Sequence, residues 1–131
     1  MITARVVQGP GFRICFDDES GYLRAYVFDG IDSLDVSTAM WRMLGAECST
    51  TGATRILVLE DLHSTVEVAE ISAVVDAIQD AGLGAVKLAF VELRDDIQGS
   101  ELAEIYCRER GMEARIFSLE DEARRWLLYG A

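Results

Sequence analysis

The sequence is poor in proline, histidine and lysine: Pro10, His63 and Lys87 are the only examples of each. Pro10 lies in "QGPG", where it breaks one extended segment from the next, and no Pro-rich linker divides the chain. A lone imidazole gives acid–base chemistry near neutral pH one obvious seat, and any metal site would have to rely on carboxylates. The three cysteines, Cys15, Cys48 and Cys107, are far apart and form no Cys-x-x-Cys pair. Neither a disulfide framework nor structural zinc fits that spacing, whereas a reducing compartment does. No apolar run approaches the ~20 residues of a membrane helix, and "MITARVVQGPGF" lacks the continuous apolar centre of a signal peptide. The expectation is a cytoplasmic protein without membrane insertion.

Positive charge is scarce too. Twelve basic residues face 23 acidic ones, giving a formal charge of -11. Nucleic acid and anionic membrane surfaces attract the opposite sign, so neither is an expected partner. What is abundant is apolar side chain, half of the 131 residues. That is enough to close a core, and with no repeat or low-complexity tract the expectation is a single domain over residues 1–131.

Periodicity supplies the element order. Residues 4–8, "FRICF" at 12–16 and "YLRAYVF" at 22–28 are strand-like, and "DDESG" between the last two predicts a hairpin. Val36, Met40, Met43 and Leu44 recur at helical spacing after a cap at Asp32 or Ser33. "RILVL" at 55–59 is an apolar run suited to a strand covered on both faces. Ile71, Val74, Val75 and Ile78 form a stripe on a helix over 66–81 that stops at Gly82. "AVKLAFVEL" at 85–93 is a strand, and a helix with Leu102, Ile105 and Tyr106 ends near Gly111. "ARIFS" at 114–118 is the last strand, before a closing helix with Leu119, Ala123, Trp126 and Leu127 inward. Two or three strands followed by αβαβαβα predict a mixed α/β sheet with a parallel part.

The stretch most suggestive of chemistry is "LVLEDLHSTVEV" at 57–68, where a strand runs into His63, Ser64 and Thr65. Ser64 and Glu67 have capping-box spacing, in which a hydroxyl and a carboxylate satisfy free N–H groups of a helix start. "SLED", Ser118 to Asp121, has a similar pattern. A hydrolase reading would use His63 with Asp61 or Glu60, but adjacent residues rarely converge from a turn and no Gly-x-Ser-x-Gly elbow surrounds Ser64. Asp29, Asp32 and Asp35 lack the glycine and terminal glutamate of a calcium loop. Asp95 and Asp96 suit a helix start better than acid–base work, and Met40, Trp41 and Met43 suit the core and its margin. Phosphate loops and dinucleotide fingerprints are absent, so no cofactor is expected, nor is a catalytic or metal-binding residue.

The order of elements, with "YVFDGIDSLD", "RILVLEDL", "AVKLAFVEL" and "ARIFSLEDEARRWL", resembles the SpoIIAA-like branch of the STAS superfamily over about residues 12–129. The resemblance implies a four- or five-stranded sheet with helices mainly on one side, and a regulatory or interaction module in place of an enzyme. It also implies a phosphorylatable serine at the helix start after the central strand. Here "HSTVEVAEI" holds that place, without the family's Asp-Ser-Ser-Gly pattern. His63, Ser64, Thr65 and Glu67 are accordingly the candidate interaction or phosphorylation turn. The expected partners are another protein, a small apolar ligand, or a second copy of the chain paired through "YLRAYVF" or the closing helix.

Overall fold

A computed structural model describes residues 4–64, 66–94 and 97–130, with nothing said of the side chain of Ile97. Six strands form one mixed sheet in sequence order: β1 (Arg5–Gly9), β2 (Phe12–Glu19), β3 (Tyr22–Ile31), β4 (Arg55–His63), β5 (Lys87–Glu92) and β6 (Ala114–Phe117). The first three pair antiparallel and the last four parallel. Four helices connect and close them: α1 (Leu34–Thr51), α2 (Ile71–Asp80), α3 (Ile97–Glu109) and α4 (Glu120–Tyr129). The α/β class and element order agree with the sequence reading. The strand number is six, above the four or five that the family resemblance implied, because the short Arg5–Gly9 segment completes an antiparallel edge.

Strand alternation splits the core in two. One set of side chains, including Ile14, Val27, Ile56, Val58 and Leu88, packs with residues of α1, α2 and α3. The alternate set, Leu57, Leu59, Ala89 and Val91, packs on Ala123, Trp126 and Leu127 of α4. Covering both faces explains why "RILVL" is apolar without alternation. The predicted stripe Ile71, Val74, Val75 and Ile78 is buried against the sheet. Gly82 takes the left-handed backbone (φ 83°) that ends the helix.

Four local expectations fail. Leu119, expected inward on the closing helix, precedes α4 and is 59% exposed. "YLRAYVF" lies in β3, an interior strand hydrogen-bonded on both sides, so it has no free edge through which two copies could pair. Ile105 is 53% exposed. The face of α3 turned inward carries Gly99, Ser100 and Cys107 instead, because small side chains let the helix lie over the ends of β5 and β6. Finally, α2 begins at Ile71, after a 3-10 turn at Val68–Glu70, and not near residue 66.

Candidate functional site

The later start of α2 removes the capping role expected for the "HSTVE" turn. Ser64 is exposed, has φ 65°, and precedes the helix by a full connection. Glu67 stands before the 3-10 turn without a side-chain capping bond, and α2 has none from its own preceding residue, Glu70. Thr65 lies outside the described residues, as do Asp95 and Asp96. A phosphate on Ser64 would therefore not sit on the N-terminus of α2. Ser118 caps nothing either, since the residue before α4 is Leu119 and no side chain caps it. Among the described residues, the helix start with a side-chain cap is that of α1, where Ser33 Oγ accepts from the Val36 N–H at 3.1 Å.

His63 is the last residue of β4 and is exposed. Its neighbour Asp61 is engaged elsewhere: it accepts from Tyr26 Oη at 2.6 Å and from Arg94 Nε at 2.8 Å. The Tyr26 hydrogen bond, helped by the Arg94 charge, holds the Asp61 carboxyl below its usual range, and the same bond raises the Tyr26 phenol. Glu60 points to the opposite face of the sheet from Asp61. His63 is near enough for its charge to contribute to the lowering of Asp61, while the Asp61 hydrogen bonds go to Tyr26 and Arg94. Asp29, Asp32 and Asp35 do not converge as ligands: Asp29 is bonded to Arg13, and Asp32 Oδ1 accepts from Ser33 N and Ser37 Oγ. Among the described residues no group of three or more histidine, cysteine or acidic side chains is placed to hold a metal.

What the fold does assemble is a cavity beneath α2 and α3, on the face of the sheet that carries three helices. Its floor is Leu88 and Phe90 of β5 with Ala114 and Ile116 of β6, and Val74, Ile78, Ala103 and Cys107 wall it. It exists because α3 presents glycine, serine, alanine and cysteine where larger side chains would fill the space. The free volume is about 70 Å³. A buried water needs roughly 10–15 Å³ on a comparable measure, so the space fits a few waters or a small organic molecule. It lies well below the ~300 Å³ of a pocket for a drug-sized ligand.

The cavity is apolar at one end and acidic at the other. Glu60 is followed on the inward-facing row of β4 only by the buried Leu62, Glu92 is the last residue of β5, and Asp32 follows the end of β3. A bulge between Phe28 and Ile31, where Asp29 has φ 63°, turns the chain over the sheet end. The Asp32 N–H donates to the His63 carbonyl at 2.7 Å and fixes that turn to β4. Glu60 and Glu92 are 7% and 8% exposed, exceptional for carboxylates. Glu92 Oε1 accepts from the Arg94 N–H at 3.0 Å, and all three acids have further interactions within the protein. Sequence reading passed over this pair, although a signal exists. "RILVLE" and "KLAFVE" share one pattern, a basic residue, four apolar residues and a glutamate, and they pair in that register from Arg55↔Lys87 to Glu60↔Glu92.

The thiol of Cys107 borders the cavity, but burial pushes it up to about 11, too high for a thiolate nucleophile at neutral pH. No protein-family model matches the chain, and no curated protein matches it.

Proposed function

We propose that this protein is a non-enzymatic STAS-like module that binds a small, largely apolar molecule in the cavity between the sheet and α2 and α3, as a carrier or sensor. The observation that carries the reading is the cavity itself, apolar along Leu88, Val74 and Ile78 and acidic at the strand ends. Pockets of that composition, apolar walls with a few placed polar groups, are the usual form of small-molecule sites. The reactive groups weigh against turnover: His63 is exposed at a strand end, and Cys107 is held as a thiol. The STAS resemblance supports a regulatory role by element order and by the quoted segments.

The test is a methyl-detected NMR titration with short-chain alcohols, amines and carboxylic acids. Saturable shifts are expected at Val74, Ile78, Leu88 and Ala103, and Ala103→Leu, which fills the space, should abolish them. Shifts that survive Ala103→Leu, or none with any probe, would reject the site.

A second reading is an interaction module acting through the β6 edge. Ile105 and Leu119 are 53% and 59% exposed there, beside a groove of about 670 Å³ lined also by Arg115, Phe117 and Glu122. An unpaired strand edge flanked by apolar side chains is a ready surface for another chain.

A further inference from the structure

β6 is an outer strand of the sheet, and its free side opens into the groove between α3 and the start of α4. The Leu88 N–H donates to the Glu113 carbonyl at 2.9 Å. In the evenly spaced ladder of a parallel pair, the groups turned to β5 are then those of Arg115 and Phe117. The N–H and carbonyl groups of Ala114 and Ile116 face the groove. One of them is covered by a side chain. Glu104 Oε2, from α3, accepts from the Ile116 N–H at 3.0 Å, while its Oε1 is held by Arg108 at 3.1 Å, one turn further along the helix. The carboxylate thus stands where the carbonyl of an added strand would stand, and it shields the edge from indiscriminate pairing.

The walls show what fits in its place. Glu101 and Ile105 lie one turn apart on the same face of α3, and Leu119 and Glu122 flank the groove from the α4 side of the sheet. All four are exposed. Successive side chains of an added strand leave it in opposite directions, so they would meet α3 and α4 in turn. Each wall presents one apolar and one acidic residue. A fitting segment therefore carries adjacent apolar residues next to adjacent basic ones. Arg115 is the only basic residue of the groove lining among the described residues, and it lies over the Phe117 ring. A second copy of the chain would bring acid against acid, with a formal charge of -11 on each.

We propose that the β6 edge docks an extended, basic segment of a partner protein, which pairs with Ala114 and Ile116 as an added strand. Its backbone carbonyl takes the place of the Glu104 carboxylate on the Ile116 N–H. The inference rests on the reading of this edge as an interaction surface, and it names the partner's chemistry. In strand addition, main-chain hydrogen bonds supply the affinity and alternate side chains the specificity. Glu104 keeps Arg108 as its partner when displaced, so the exchange leaves no carboxylate stranded.

The test is an amide-detected NMR titration of the full chain with short, end-capped peptides that hold two β-branched residues beside two lysines, in either order. Saturable shifts are expected at Ala114, Ile116 and Ser118, largest at Ile116. N-methylation of alternate peptide amides should abolish binding in one phase and spare it in the other, because only one set faces β6. Reversing both wall charges, Glu101→Lys with Glu122→Lys, should weaken the lysine peptide about tenfold. Both positions are exposed, so the thermal melt of that variant should stay in place. Serine or glutamate counterparts that bind equally well at the same amides would keep the edge reading and overturn the basic partner. Binding indifferent to the phase of N-methylation would be charge adsorption, which overturns strand pairing. A peptide-free dimer with Ile116 at its contact would assign the edge to a second copy and overturn the proposal. Shifts absent from β6 with every peptide would overturn both readings.

Discussion

Ser33 and Ser64 show how one residue type can do different work at two helix approaches. Ser33 has extended backbone and accepts from the Val36 N–H, so Ser33→Ala should destabilise the protein by about 1 kcal/mol. Ser64 is in the left-handed region, where a side chain is unfavourable and glycine is not. Ser64→Gly should leave stability unchanged or raise it by roughly 0.5–1 kcal/mol, and urea denaturation of both variants checks the contrast. A marked loss in Ser64→Gly would mean that the Ser64 side chain holds the turn after all. Asp61 supplies a pH-dependent case. Its carboxyl is held below the usual range by the Tyr26 hydroxyl and then by Arg94, so the folded state favours the ionised form. That stability is complete above the ordinary carboxylate range and is lost as pH falls through the folded value. Asp61→Asn should therefore flatten the acid limb of the thermal-stability profile, and a parallel shift of the whole curve would argue against this account. Thiol reactivity at this scale follows burial: Cys48 and Cys107 are both pushed up to about 11, while Cys15 is partly accessible. An aromatic disulfide reagent at neutral pH should modify Cys15 first and the other two only after unfolding.

At the scale of elements, α1 and α2 meet through Gly45. A methyl group there would stand 2.2 Å from the Ala81 carbonyl oxygen and 2.8 Å from its Cβ. Glycine in a helix interior is otherwise unfavourable by about 1 kcal/mol against alanine, so close approach is the reason that this one fits. Gly45→Ala should gain helix propensity yet lose stability overall by about 1–3 kcal/mol through forced repacking. Chemical denaturation would show the sign, and a stabilised variant would mean that the two helices separate easily. Sheet order matters in the same way. β3, read as a possible pairing edge, lies between β2 and β4, whereas β1 and β6 are the edges. Amide exchange should accordingly be slowest in β3 and β4 and faster in β6.

The whole molecule carries a formal charge of -11, and its self-repulsion acts against the compact state. Raising ionic strength from about 0.01 M to 0.15 M shortens the screening length from about 30 Å to about 8 Å. The melting temperature should rise over that interval, and a fall would show that attractive surface pairs such as Arg24–Glu120 outweigh the net repulsion.

By itself, the sequence determined the α/β class, the element order, the buried stripe of α2 and the two-sided burial of β4. Those features follow from local periodicity and turn chemistry, which act over a few neighbours along the chain. Tertiary structure alone decided which strands are edges, which face of α3 turns inward, and where α2 begins. The cavity belongs to this second group, because it is a property of small residues on α3 meeting the ends of distant strands. Glu60 and Glu92 are 32 positions apart and become neighbours only through the parallel register of β4 and β5. Their shared pattern was present in the chain, but a pattern of single acids at strand ends has no meaning until the strands are known to be adjacent, parallel and covered by helices.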